Sequence, residues 1–162
     1  MIKKAQKVTL PKTIGWIILV ILVLLDALLD IIFAKGGGLE SGIWKPISYF
    51  LGIKNPLLMI PFVLILFYLL VKGCAWIVKK IDKITIGAEE LILTTLVIAY
   101  GLFDIWLILF YMFDFRLFKN HYYLIPVLIL VGIIYEMWAE KKLRLQSLLQ
   151  HRLYLRVSKR KI

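Results

Sequence analysis

The sequence predicts an all-α polytopic membrane protein. The expected architecture is a four-transmembrane-helix bundle, N-in and C-in, followed by a basic amphipathic C-terminal helix. Three observations carry this reading. Hydrophobic residues make up 62% of the 162 positions and charged residues 19%, against about 45–50% and 25% in soluble domains. The apolar residues gather into four long runs, and the net charge of +11 is unevenly spread. A soluble domain of this length buries only about 70% of its unfolded surface, too little to hide so much apolar area. Disorder requires low hydrophobicity, and Cys74 is the chain's one cysteine, so no disulfide scaffold is available.

The apolar runs cover about 14–34, 57–78, 91–113 and 123–139. About 20 helical residues cross a hydrocarbon core of about 30 Å. Three runs meet that length and the fourth is near the short limit. A transmembrane barrel would need alternating strands of about ten residues, and no such pattern occurs. The first helix is expected to be capped by Thr13, the second by Asn55 before Pro56 at the first helical position, and the fourth by Asn120. Glu89 and Glu90 fall in the first turn of the third, where carboxylates complement the positive end of the helix.

Fifteen of the twenty-one Lys and Arg residues lie before the first run, between the second and third, or after the fourth. Basic residues stay on the cytoplasmic side, so the chain is expected to be a multi-pass cell-membrane protein with both termini cytoplasmic. The first run exceeds a signal-peptide core, holds Asp26 and Asp30, and lacks a small-residue cleavage site, which favours an uncleaved anchor.

The two halves share features that leave a duplicated helical hairpin open. Both Trp76 and Trp138 begin a Trp-x-x-Lys-Lys element, and Lys-Asn precedes Ile-Pro by one interval at 54–61 and at 119–126. Ordinary helix capping and interfacial preferences produce the same pattern. Between the first two runs, Gly36-Gly37-Gly38 reads as a hinge, and residues 43–53 as an interfacial segment bearing Trp44 and Tyr49. The chain divides into a membrane domain at 1–139 and a basic tail at 140–162. In the tail, Leu145, Leu148, Leu149, Leu153 and Leu155 alternate with basic residues. Lys141, Lys142, Arg144, Arg152, Arg156, Lys159, Arg160 and Lys161 are expected to bind anionic lipid headgroups at the cytoplasmic face. A partner protein or RNA phosphates are the less favoured ligands of this charge.

Five ionisable residues fall inside the runs: Asp26, Asp30, Lys72, Asp104 and Glu136. Each costs at least about 2.5–3.5 kcal/mol near the bilayer centre, so none should face lipid. Helical rise puts Asp26 about 18 Å and Asp104 about 20 Å from the cytoplasmic ends of their helices, nearly one level. Lys72 and Glu136 are also level, which predicts a structural ion pair between the second and fourth helices. Four acids facing one base cannot all remain ionised in a low dielectric, so some must hold protons or a cation. Asp26, Asp104 and Asp30 are therefore the expected proton- or cation-binding residues. Tyr100 and Tyr111 share a helix face with Asp104 and are positioned to assist them.

Catalytic signatures are absent. His121 and His151 have no partner at metal-ligand spacing, one cysteine cannot run thiol–disulfide exchange, and no haem-ligand pair lies inside the bilayer. No cofactor is expected. Trp16, Trp44, Trp76, Trp138, Tyr122 and Tyr123 lie near span ends, where amphipathic rings belong, so they do not support nucleic-acid binding; Trp106 alone is mid-span. The leading expectation is a proton- or cation-linked transporter or channel-like protein. The alternatives are a non-catalytic accessory or assembly subunit of a larger membrane complex, and an enzyme with a metal held by the aspartates. Four helices bury little polar volume, which favours a homo-oligomer or a place in a complex.

Overall fold

The computed structural model describes residues 8–35, 37–40, 44–81, 87–115 and 121–158, with side chains through 143 except at positions 37, 40, 121 and 122. Every regular element of the described chain is helical. Its helices are α1 (Lys12–Phe33), α2 (Trp44–Leu51), α3 (Pro56–Ile81), α4 (Ala88–Phe113) and α5 (Ile125–Ser158). Single 3-10 turns at Gly37–Glu40 and His121–Leu124 precede α2 and α5.

Three helices, α1, α3 and α4, are long and apolar enough to cross a membrane. Their 22, 26 and 26 residues span about 33–39 Å at 1.5 Å per residue. The fourth apolar run behaves differently. It opens α5, which continues unbroken for 34 residues through the expected boundary at 139 and 140. Glu136, Glu140, Lys141 and Lys142 interrupt its apolar stretch within about five turns.

Contacts along the helices set their directions. Gly15 meets Leu93, Leu22 meets Gly101, and Phe33 stacks on Tyr111. The sequence offset stays at 78 or 79 throughout, so α1 and α4 run parallel and in register, and Asp26 is level with Asp104. Helix α3 is antiparallel to both: Met59 and Val63 pack with Val23, while Val71 and Ala75 pack with Leu19 and Leu93. Helix α5 descends along α4, its first turns near Leu124, Leu107 and Trp106, its Gly132 against Thr95, and its Tyr135 hydroxyl donating to the Val8 carbonyl at 2.8 Å. The α1–α3 and α4–α5 hairpins therefore point the same way.

The packing is sparse inside and apolar outside. Leu19, Val23, Ala27 and Leu29 of α1 are buried, whereas Ile14, Ile17, Ile21, Leu24 and Leu28 are exposed at the complementary helical spacing. Helices α3, α4 and α5 repeat the arrangement with Leu58, Ile65, Leu69, Ile105, Ile129, Ile133 and Met137 outward. So large an apolar surface has no stable place in water and suits a hydrocarbon solvent.

Several local expectations are met and others need correction. Pro56 begins α3, and the Asn55 side chain accepts the Leu57 N–H at 3.0 Å. Glu89 and Glu90 occupy the first turn of α4, and Trp106 is packed at 6% exposure. Thr13, by contrast, lies within α1: Pro11 is the N-cap and no side chain caps that end. The proline ring fixes φ, and with a non-helical ψ of 139° at Pro11 the helix starts two residues early. The expected hinge is partly a 3-10 turn, and the interfacial segment narrows to α2. Asn120 lies outside the described residues. Both Trp-x-x-Lys-Lys elements fold alike, with Lys80 at 5.0 Å over Trp76 and Lys142 at 4.3 Å over Trp138.

Candidate functional site: an acidic cavity and a buried carboxyl

The end of the bundle opposite the N-terminus of α1 holds a half-open cavity of about 500 Å³. Parallel packing of α1 on α4 places inward-facing residues of both helices at matching heights. Asp26 and Asp30, one turn apart on α1, line the cavity together with Tyr100 and Tyr111 of α4. The Tyr100 hydroxyl donates to Asp26 Oδ2 at 2.7 Å. That ring is fixed edge-on against Phe67, 5.3 Å between centroids, and beside Phe103 at 6.1 Å. Tyr111 is held by its stack on Phe33, 5.5 Å apart and 10° from parallel.

Asp30 has a second task. Its Oδ1 accepts the Gly38 backbone N–H at 2.8 Å, which ties the 3-10 turn to α1. A Cβ on Gly38 would lie 2.8 Å from both Cγ and Oδ1 of Asp30, so only glycine approaches so closely. The next residue, Leu39, is 7% exposed and packs on Val23, Met59 and Val63. The Ser48 hydroxyl donates to its carbonyl at 3.0 Å, joining α2 to the turn. Gly38, Leu39 and Trp44 thus form one wall of the cavity.

Asp104 stands one turn beyond Tyr100 on α4, outside the cavity lining. It is 1% exposed, and among the described residues neither carboxyl oxygen has a hydrogen-bond partner. Of the five predicted proton- or cation-binding residues, the structure therefore brings Asp26, Asp30, Tyr100 and Tyr111 to one cavity and buries Asp104 at the level of Asp26.

The predicted Lys72–Glu136 pair is not formed. Lys72 Nζ instead reaches Glu89 Oε1 at 2.8 Å, and Glu89 Oε2 takes Lys12 Nζ at 2.7 Å, with Lys79 Nζ at 3.9 Å. Glu136 lies beside Thr95 on the opposite side of α4. The physical reason is the helix arrangement: α4 separates α3 from α5, so level residues on those two helices do not face each other. Lys72 also lies beside the Tyr68 ring, 5.7 Å from its centroid. The role of Glu89 went unrecognised in the sequence because a glutamate in a first helical turn has a sufficient local explanation. Lysines accumulating at the same end of three helices were the available signal.

Of the basic tail, Lys141 and Lys142 have described side chains. Those of Arg144, Arg152 and Arg156 fall outside the described set, as do residues Lys159, Arg160 and Lys161 altogether. Among the described residues, no three His, Cys, Asp or Glu side chains gather as a metal-holding group. Comparison with protein-family models, curated proteins and solved structures finds no match to this chain.

Proposed function

We propose that this protein is a small proton- or cation-linked transporter or channel-like protein of the cell membrane. In this reading it has four spans, with both termini cytoplasmic. Asp26 and Asp104 are its proton- or cation-binding groups, Asp30, Tyr100 and Tyr111 assist them, and the basic tail contacts anionic lipid. The carrying observation is Asp104, a carboxyl 1% exposed and without a hydrogen-bond partner among the described residues. Burial of an unpaired carboxylate costs several kcal/mol, so the group is stable there as a neutral acid or beside a cation. Asp26 at the same level adds a second acid, held at the cavity wall by the Tyr100 hydroxyl. A protein that needed only packing would place an apolar residue at 104.

Reconstitution in vesicles tests the proposal. Wild-type protein should carry a proton or monovalent-cation flux, read by an enclosed pH dye under an imposed gradient. Asp26→Asn and Asp104→Asn should each abolish it while leaving helix content and elution volume unchanged. Surviving flux in either variant defeats the assignment. Lost flux together with a dispersed oligomer would mark these acids as assembly contacts.

A further inference from the structure

The cavity has a chemistry more specific than that of a bare-ion site. Its walls are aliphatic and aromatic, with Val23, Met59, Trp44 and Phe103 among them, and among the described residues its charged groups are Asp26 and Asp30 alone. Among the described residues no Lys, Arg or His lines it, whereas Lys35 and Lys54 border a separate surface depression. A volume of about 500 Å³ lies within the range of about 300–1,000 Å³ that holds drug-sized ligands. A hydrated metal ion or a proton gains nothing from such walls. An apolar body carrying one delocalised positive charge gains from the rings, the aliphatic surface and the two carboxylates together.

We propose that this cavity binds a lipophilic organic cation, with Asp26 as its principal counter-charge, Asp30 as the second, and Tyr100 positioning Asp26. The inference rests on the transport reading, for which it names the substrate class. Binding opposes protonation of the same carboxylates, so protons and the organic cation compete for one site. Asp104, level with Asp26 but outside the cavity, lies beyond direct contact with the ligand.

The test uses two ions of nearly the same size and shape and opposite charge, tetraphenylphosphonium and tetraphenylborate, added to the purified full chain in neutral detergent. Binding is read by calorimetry and by quenching of tryptophan fluorescence, since Trp44 lines the cavity. The phosphonium should bind saturably, one per chain, and more weakly as pH falls; the borate should show no saturable binding. Asp26→Asn should weaken phosphonium binding on the order of tenfold or more, and Asp30→Asn by less. Ala99→Trp fills the cavity without altering its charge and should block binding, which keeps the proposal testable if an aspartate variant misfolds. Equal binding of both ions, or unchanged affinity in Asp26→Asn and Ala99→Trp, overturns it. Proton or small-cation flux without phosphonium binding defeats this inference and leaves the transport reading intact. Phosphonium binding without any flux does the reverse.

Discussion

Adding one methyl group at Gly15 should cost more than the helix gains from it. A Cβ at this position would sit 2.6 Å from Cδ2 and 2.9 Å from Cγ of Leu93. Favourable carbon contacts lie at about 3.5–4.0 Å. Cγ is the branch point of the side chain, so rotating a terminal methyl does not relieve the contact. Leu93 is 1% exposed and packs with Leu19, Val71, Ala75 and Ile92, which leaves little room for another rotamer. Overpacking of this kind costs about 1–3 kcal/mol, while replacing a helical glycine with alanine returns about 1 kcal/mol. Gly15→Ala should therefore be destabilising by about 1 kcal/mol. Gly73, with nothing within 4 Å of its virtual Cβ, should show only the gain. Reversible unfolding in mixed micelles, followed by helical circular dichroism, compares the two variants. Removing the obstacle with Leu93→Ala should make Gly15→Ala harmless in that background. Equal shifts for Gly15→Ala and Gly73→Ala, with no dependence on residue 93, would refute the close α1–α4 packing.

Three further outcomes follow from individual contacts. Glu89→Gln should lower thermal stability more than Glu90→Gln, because it leaves Lys12, Lys72 and Lys79 facing one another, and raising salt should shrink the difference. Tyr135→Phe removes the bond to the Val8 carbonyl and should cost about 1 kcal/mol in the same unfolding assay, with faster proteolysis before α1. Gly38→Ala should break the Asp30 bond and detach the turn, detected as greater quencher access to Trp44 in tryptophan fluorescence.

The helical class and the limits of three long apolar helices were legible because apolar run length, Pro56 and the flanking charges are local properties of the chain. Helix order in space was not. The matching levels of Asp26 and Asp104 on their helices follow from rise per residue, and the parallel α1–α4 register agrees with them. The level of Lys72 and Glu136 follows from the same arithmetic, yet they do not pair, because level says nothing about which helix lies between. Gly38 illustrates another limit: three consecutive glycines read as freedom, while the middle of the story is a single backbone N–H committed to Asp30. The continuation of α5 past Ala139 was hidden by the change from apolar to basic composition, which alters solvent preference without breaking a helix.

In the proposed function Asp104 exchanges a proton or a cation within the bundle. Infrared difference spectroscopy of the reconstituted protein measures this directly, through the carbonyl band of a protonated carboxylic acid. A band that disappears in Asp104→Asn and falls reversibly as pH or cation concentration rises is the expected result. Spectra of wild type and Asp104→Asn that coincide across pH, or a band that no change of pH or cation alters, would contradict it.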